Sequence, residues 1–180
     1  MASSAKLGLL LAALLLVAGC GFQLRGAAPV SAGLQPLALH CAQQIPDELC
    51  RTVTEQLAQG GVPLVAAREA EFHLRLTNFR EERRASAVTL QAAAAEYELR
   101  QRVFMDVIGP GDIPVLAETE VRAVQNYRYD ETNVLAKRRE EAEIRQRLHD
   151  RLAQQVIFRL APLDEQRIQQ RLQAGDPDTP

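Results

Sequence analysis

Two rhythms of apolar residues run along this chain, one of period two and one of period near four, and they divide it into elements. Leu37 to Cys41 predicts a first strand. Pro46-Asp47 then opens a helix, since proline and an acidic residue both suit a first turn. Leu49, Val53 and Leu57 make a one-sided apolar stripe along it, and Gly60-Gly61 stops it as a left-handed cap would. After the short apolar run Val62 to Val65, Phe72, Leu74 and Leu76 alternate with His73, Arg75 and Thr77, the pattern of a half-buried strand. Its charged continuation, Arg80-Glu81-Glu82-Arg83-Arg84, reads as an exposed strand end or hairpin arm.

Gln91 to Ala95 reads as the hairpin turn, although alanine alone would favour helix. A long strand follows, with Tyr97, Leu99, Val103, Met105 and Val107 on one face and Gln101 as the single polar exception. Gly109 to Asp112 is a turn by composition. The next strand, about Val115 to Tyr127, places Val115, Ala117, Val121 and Ala123 on one face. Glu98, Arg100 and Arg102 occupy the opposite face of one strand, and Glu118, Glu120 and Arg122 that of the other. A sheet so polar on one side is antiparallel and covered by helices only on the other.

Asp130 to Asn133 starts the longest helix, which ends before Pro162. Ile144, Leu148, Leu152, Val156 and Leu160 keep four-residue spacing, and Glu141–Arg145 and Glu143–Arg147 form i,i+4 pairs on the wet face. The expectation is an α+β domain with two helices packed on one face of a four-stranded, mostly antiparallel sheet. It occupies residues 34–163, and the Gln-, Asp- and Pro-rich segment 164–180 is expected to fray.

The beginning of the chain changes this picture. Lys6, an uncharged apolar run from Leu7 to Val17, and the small residues Ala18-Gly19 before Cys20 have the layout of a secretory signal. Directly followed by cysteine, they look like a bacterial lipobox. Residues 1–19 are then a signal peptide that is removed, Cys20 carries the lipid, and residues 20–33 are a tether. An ordinary signal would instead leave Cys20 free. Gly21 is not the aspartate that retains many such proteins in the inner membrane, so outer-membrane sorting is expected.

Removing 19 of 180 residues leaves 161, one domain, and removing Lys6 takes the net charge from −2 to −3. That balance argues against a nucleic-acid partner. With no tryptophan and few other aromatics, the core must be built from Leu, Val, Ile and Ala. Two cysteines remain, Cys41 and Cys50. In an oxidising compartment they would bond and staple the strand end to the first helical turn, or else remain two buried thiols.

Catalytic chemistry finds no purchase. His40, His73 and His149 are widely spaced, and no close Cys/His pair suggests a metal site. Nucleophile elbow, phosphate loop and dinucleotide fingerprint are all missing, and no cofactor is expected. Two basic groups stand out instead, Lys137-Arg138-Arg139 near a helix start and Arg83-Arg84 on the charged strand end. Cations near a helix N-terminus oppose its dipole, so the first group either meets an anion such as phosphate or is a solvated face neutralised by Glu140, Glu141 and Glu143.

The run Cys20-Gly21-Phe22-Gln23-Leu24-Arg25-Gly26 resembles the mature start of the lipopolysaccharide-assembly lipoproteins of the LptE family. The likeness continues through Gly61-Val62, Ala95-Glu96-Tyr97, the Gly109–Asp112 turn and Leu135-Ala136-Lys137. It reaches Arg151-Leu152-Ala153-Gln154-Gln155 and Ile157-Phe158-Arg159-Leu160, and so covers nearly the whole mature chain. The resemblance implies an outer-membrane lipoprotein on the periplasmic side, plugging the LptD β-barrel and supporting its assembly and lipopolysaccharide delivery to the outer leaflet. It also implies two helices on a four-stranded sheet, and a lipopolysaccharide contact at Lys137. A second family contact, an arginine, falls on Leu90 here, so Arg83 or Arg84 would have to substitute. Because a barrel lumen is polar, the face bearing Arg100, Arg102, Glu118 and Arg122 is the candidate partner surface. The runner-up function is an accessory lipoprotein of a lipid or solute ABC exporter; a stand-alone hydrolase has no nucleophile to support it.

Overall fold

The computed structural model describes residues 30–88, 94–128 and 134–175. Cys20, most of the tether, Leu90 and the helix start at Asp130–Asn133 lie outside the described residues, as does most of the hairpin turn at Gln91–Ala95. Four strands form one sheet in the order β1-β2-β3-β4, namely β1 (Leu37–Cys41), β2 (Phe72–Val88), β3 (Ala94–Ile108) and β4 (Pro114–Arg128). β1 pairs with β2 in parallel, and the other two pairings are antiparallel. The parallel pair is joined through α1 (Asp47–Gln59), and α2 (Val134–Leu160) returns along the sheet after β4.

α1 ends as its glycines foretell. Gly61 takes φ +81°, the Val62 N–H donates to the Leu57 carbonyl at 2.9 Å, and that of Gly61 donates to Ala58 at 3.1 Å. This is a Schellman closure, and the apolar pair that accompanies it, Leu57 and Val62, is fully buried. The core fills the layer between helices and sheet: Leu49, Val53 and Leu57 of α1, Ile144, Leu148, Leu152, Val156 and Leu160 of α2, and Leu74, Leu76, Leu99, Val103, Met105 and Val107 of the strands.

Three features depart from the sequence reading. Residues 165–175, expected to fray, form a third helix, α3 (Glu165–Gly175). Asp164 caps it, its carboxylate accepting the Arg167 N–H at 2.8 Å, and Leu163 and Ile168, the two ends of a hydrophobic staple, are both buried. Second, Ala117 is exposed: register shifts between Met105 and Val107 on β3 break the alternation of β4, so Val115 is buried without Ala117 following it. Third, β2 changes face midway. A bulge between Thr77 and Arg80, with Asn78 at φ +53°, reverses the parity of the side chains that follow, as far as the next register shift after Ala85. Before it Leu74 and Leu76 face the helices; after it Glu81 and Arg83 do.

Candidate functional site

As neighbours on a strand, Arg83 and Arg84 take opposite faces, and the bulge decides which of them meets the helices. Arg83 turns toward α2, lying 3.5 Å from Glu141 and with its guanidinium 4.3 Å from the centroid of the Tyr97 ring. Arg84 points to the opposite, helix-free face and pairs with Glu82 at 2.8 Å. They cannot act as one patch. Next to Arg83, Tyr97 stacks on Tyr127, whose hydroxyl is pushed above its ordinary pKa by burial and by Glu141.

The same reversal explains Gln101, the polar exception on β3. It is fully buried, and its amide donates at 2.7 Å to Glu81, which the bulge has turned inward. Arg145 of α2 also donates to Glu81, at 2.8 Å, and reaches Glu141 as well. A seam of paired charges therefore closes the distal half of the helix–sheet layer, where the apolar pattern of β2 runs out.

Lys137 is not the exposed cation its position in the sequence suggests. Only 19% of its side chain is accessible; the ammonium donates to the Arg128 carbonyl at 2.9 Å and to Glu140 at 2.7 Å. It ties α2 to the end of β4. Arg138 and Arg139 beside it are exposed and make no ion pair among the described residues. Of the three, these two are the exposed cations at this end of the molecule.

The helix-free face of the sheet carries the densest pattern of charge. Arg75 holds Asp106 through both carboxylate oxygens, directly across the strands. Arg100 pairs with Glu98 at 2.7 Å, and Arg102 lies 3.7 Å from Glu82. One row is less balanced, since apart from the distant Arg102–Glu82 contact its members make no ion pair among the described residues. Arg80 stands opposite Arg102, and Arg102 opposite Arg122, so three arginines line up across β2, β3 and β4. Like charges directly opposite in a sheet destabilise it. The Nε atoms of Arg100 and Arg102 are also buried and without a partner. Glu118 is exposed toward the β4 end of this face.

Two further groupings join residues separated in the chain; the histidine pair was hidden in the sequence, whereas the cysteine pair was expected from it. His40 and His73, far apart in the chain, meet on adjacent strands with ring nitrogens 3.0 Å apart, because β1 and β2 pair in parallel and a two-residue offset sets them diagonally on one face. Cys41 and Cys50 are joined in a disulfide with Cα atoms 6.3 Å apart, linking the end of β1 to the first turn of α1.

Fold and surface together define a small α+β domain with arginines on an open sheet face and at one end of a long helix. A family model, LptE, described as lipopolysaccharide-assembly, matches residues 34–160. The LPS-assembly lipoprotein LptE of Pectobacterium atrosepticum is 33% identical over 171 residues, covering 93% of this chain and 91% of its own length. Its counterpart in Yersinia pestis is 30% identical over 167 residues, covering 91% and 79%. Among solved structures, the rare lipoprotein B of Shewanella oneidensis superposes with a TM-score of 0.60 at 27% identity, over 70% of this chain and 93% of that one. An uncharacterized lipoprotein B of Nitrosomonas europaea shares the fold, with a TM-score of 0.63 at 17% identity over 76% and 88%. The chain belongs to the LptE family of lipopolysaccharide-assembly lipoproteins.

Proposed function

We propose that this chain is a non-enzymatic outer-membrane lipoprotein, held at Cys20 on the periplasmic side. It seats in the LptD β-barrel, supports that barrel's assembly and helps deliver lipopolysaccharide to the outer leaflet. The observation that carries the reading is the row Arg80–Arg102–Arg122 on the uncovered sheet face. An isolated domain gains nothing from three aligned cations, whereas a polar lumen bearing carboxylates would stabilise them. Arg100, Arg102, Glu118 and Arg122 are the partner surface on this reading.

Lipopolysaccharide phosphates would be met at the start of α2. Net charge near −3 gives no general attraction for a polyanion, so a local patch must supply it. Arg138 and Arg139 provide exposed guanidiniums there, and Lys137 positions the helix start against β4.

Photocrosslinkers at Arg100 and Arg122, and as a control at Glu55 on the exposed side of α1, test the seating. Capture of a large β-barrel from the sheet face but not from Glu55 is expected. Equal capture from both would remove the special role of this face, and recovery of inner-membrane transporter subunits instead would favour an exporter accessory.

A further inference from the structure

At the opposite end of α2 from Lys137 lies a groove of about 610 Å³ between the start of β4, the end of α2 and α3. Its floor is apolar, with Leu116 and Leu163, and its charged lining residues are Arg159, Arg167 and Arg171. Among the described residues no acidic side chain lines it. Arg167 has a distant partner in Asp164 at 3.8 Å; Arg159 and Arg171 have no ion pair among the described residues. Phe158 stands at the edge with 54% of its surface exposed, the one large apolar side chain so exposed among the described residues. A surface that sets one exposed aromatic among three arginines is complementary to a partner that is both apolar and anionic.

The start of the domain indicates what that is. Val30 and Leu34 are buried, and Gly33 packs so closely on α3 that a Cβ there would meet the Glu165 backbone at 3.3 Å. The chain therefore enters the domain against the helix that supplies Arg167 and Arg171. Ten residues separate Val30 from Cys20, a reach of at most about 33–36 Å even when fully extended.

We propose that this corner is a membrane-docking site, in which Phe158 enters the interfacial layer of a phospholipid leaflet and Arg159, Arg167 and Arg171 hold lipid phosphates. Guanidinium forks match phosphate oxygens, and aromatic residues flanked by arginine favour the headgroup boundary. The proposal rests on the lipid anchor at Cys20, which delivers the domain to the surface; the docked corner then sets its orientation. With Phe158 at the leaflet, α2 carries Lys137 about 32 Å away along its axis, comparable to the thickness of a bilayer core.

The chain has no tryptophan, so Phe158→Trp places a single reporter at the site. The lipidated mature protein is reconstituted in phosphatidylethanolamine vesicles with and without phosphatidylglycerol, and Gln146→Trp, on the exposed middle of α2, serves as the comparison. At the roughly 5–10 Å depth of interfacial side chains, the reporter at 158 should shift to the blue and lose more than about half its emission to lipids brominated near the headgroup. The reporter at 146 should do neither. Replacing Arg159, Arg167 and Arg171 by glutamine should abolish the effect at 158. Co-flotation with an unquenched reporter at 158 would overturn the docking while leaving the anchor intact, and failure to co-float would refute the anchor itself. Quenching that survives the three glutamines would overturn the phosphate contact. Quenching that appears only after residues 176–180 are deleted would assign the arginines to the chain's own acidic end.

Discussion

Gln155 holds the backbone of Arg122 from both sides. Its amide donates to the Arg122 carbonyl at 2.7 Å, and its oxygen accepts the Arg122 N–H at 3.4 Å. One turn earlier on α2, Arg151 donates to the Val124 carbonyl at 3.0 Å. β4 is the last strand of the sheet, and side chains of α2 occupy hydrogen-bonding positions that a fifth strand would otherwise take. The Arg151–Gln155 segment thus has a physical task independent of any ligand.

Gln155→Ala should lower stability by about 1 kcal/mol, the net value of such hydrogen bonds. It should also leave part of an edge open to pairing with a second chain. Urea denaturation reads the first effect, and light scattering on storage the second; an unchanged midpoint would show that water serves the edge equally well.

Arg122→Thr should raise the thermal midpoint of the isolated protein at low salt. It removes one of three facing cations and places a strand-favouring residue on the edge, a gain of a few tenths of a kcal/mol at most. The same change should weaken co-purification with the barrel. Gain of stability with loss of partner is the signature of a residue kept for binding, and a fall in both would mark Arg122 as structural.

Lys137→Asp should destabilise the domain, because it removes the tie to the Arg128 carbonyl and sets a second carboxylate beside Glu140. Arg138→Asp makes the same charge change at an exposed position. If the helix start binds lipopolysaccharide, Arg138→Asp should cost tenfold or more in affinity at about 1.5–3 kcal/mol per charge-assisted contact, with the thermal midpoint little changed and the loss shrinking in high salt. Affinity for lipopolysaccharide at two ionic strengths, beside melting curves, separates the two residues.

His149 is buried against Phe79, and burial pushes its pKa below the ordinary histidine value near 6.5. The unfolded chain therefore takes up a proton that the folded one refuses. Stability should be constant above about pH 6.5 and fall as pH drops through and below that value. Melting curves of wild type and His149→Leu between pH 5 and 8 check this: the wild-type midpoint should fall toward acid relative to that of the variant.

Alkylation of the unreduced, denatured protein should leave Cys41 and Cys50 unlabelled, and reduction should expose both. Opening so short a loop should cost about 2–3 kcal/mol. Labelling of both without reductant would show that the bond does not form.

Most of the architecture was legible because it rests on local period. The stripe Leu49–Val53–Leu57, the alternation on β3 and the four-residue ladder from Ile144 to Leu160 each identify an element and its buried face. Gly60-Gly61 announced the end of α1 because φ near +81° at Gly61 suits a residue without Cβ. α3 carried signals too, the cap Asp164 and the apolar spacing Leu163, Ile168 and Leu172, but its polar composition masked them. The tertiary structure alone decided the rest. A bulge is one residue's worth of extra chain whose position depends on the partner strand. That Arg83 and Arg84 take opposite faces follows from the pleat, but which of them faces the helices, and that Glu81 turns toward Gln101, the bulge alone decides. Likewise the sequence placed Arg80, Arg102 and Arg122 on three strands, whereas their alignment in one row is a matter of register, set by pairing between segments twenty residues apart. Local pattern determines which residues face in or out over a few turns or pleats; which charges meet is settled only when the strands dock.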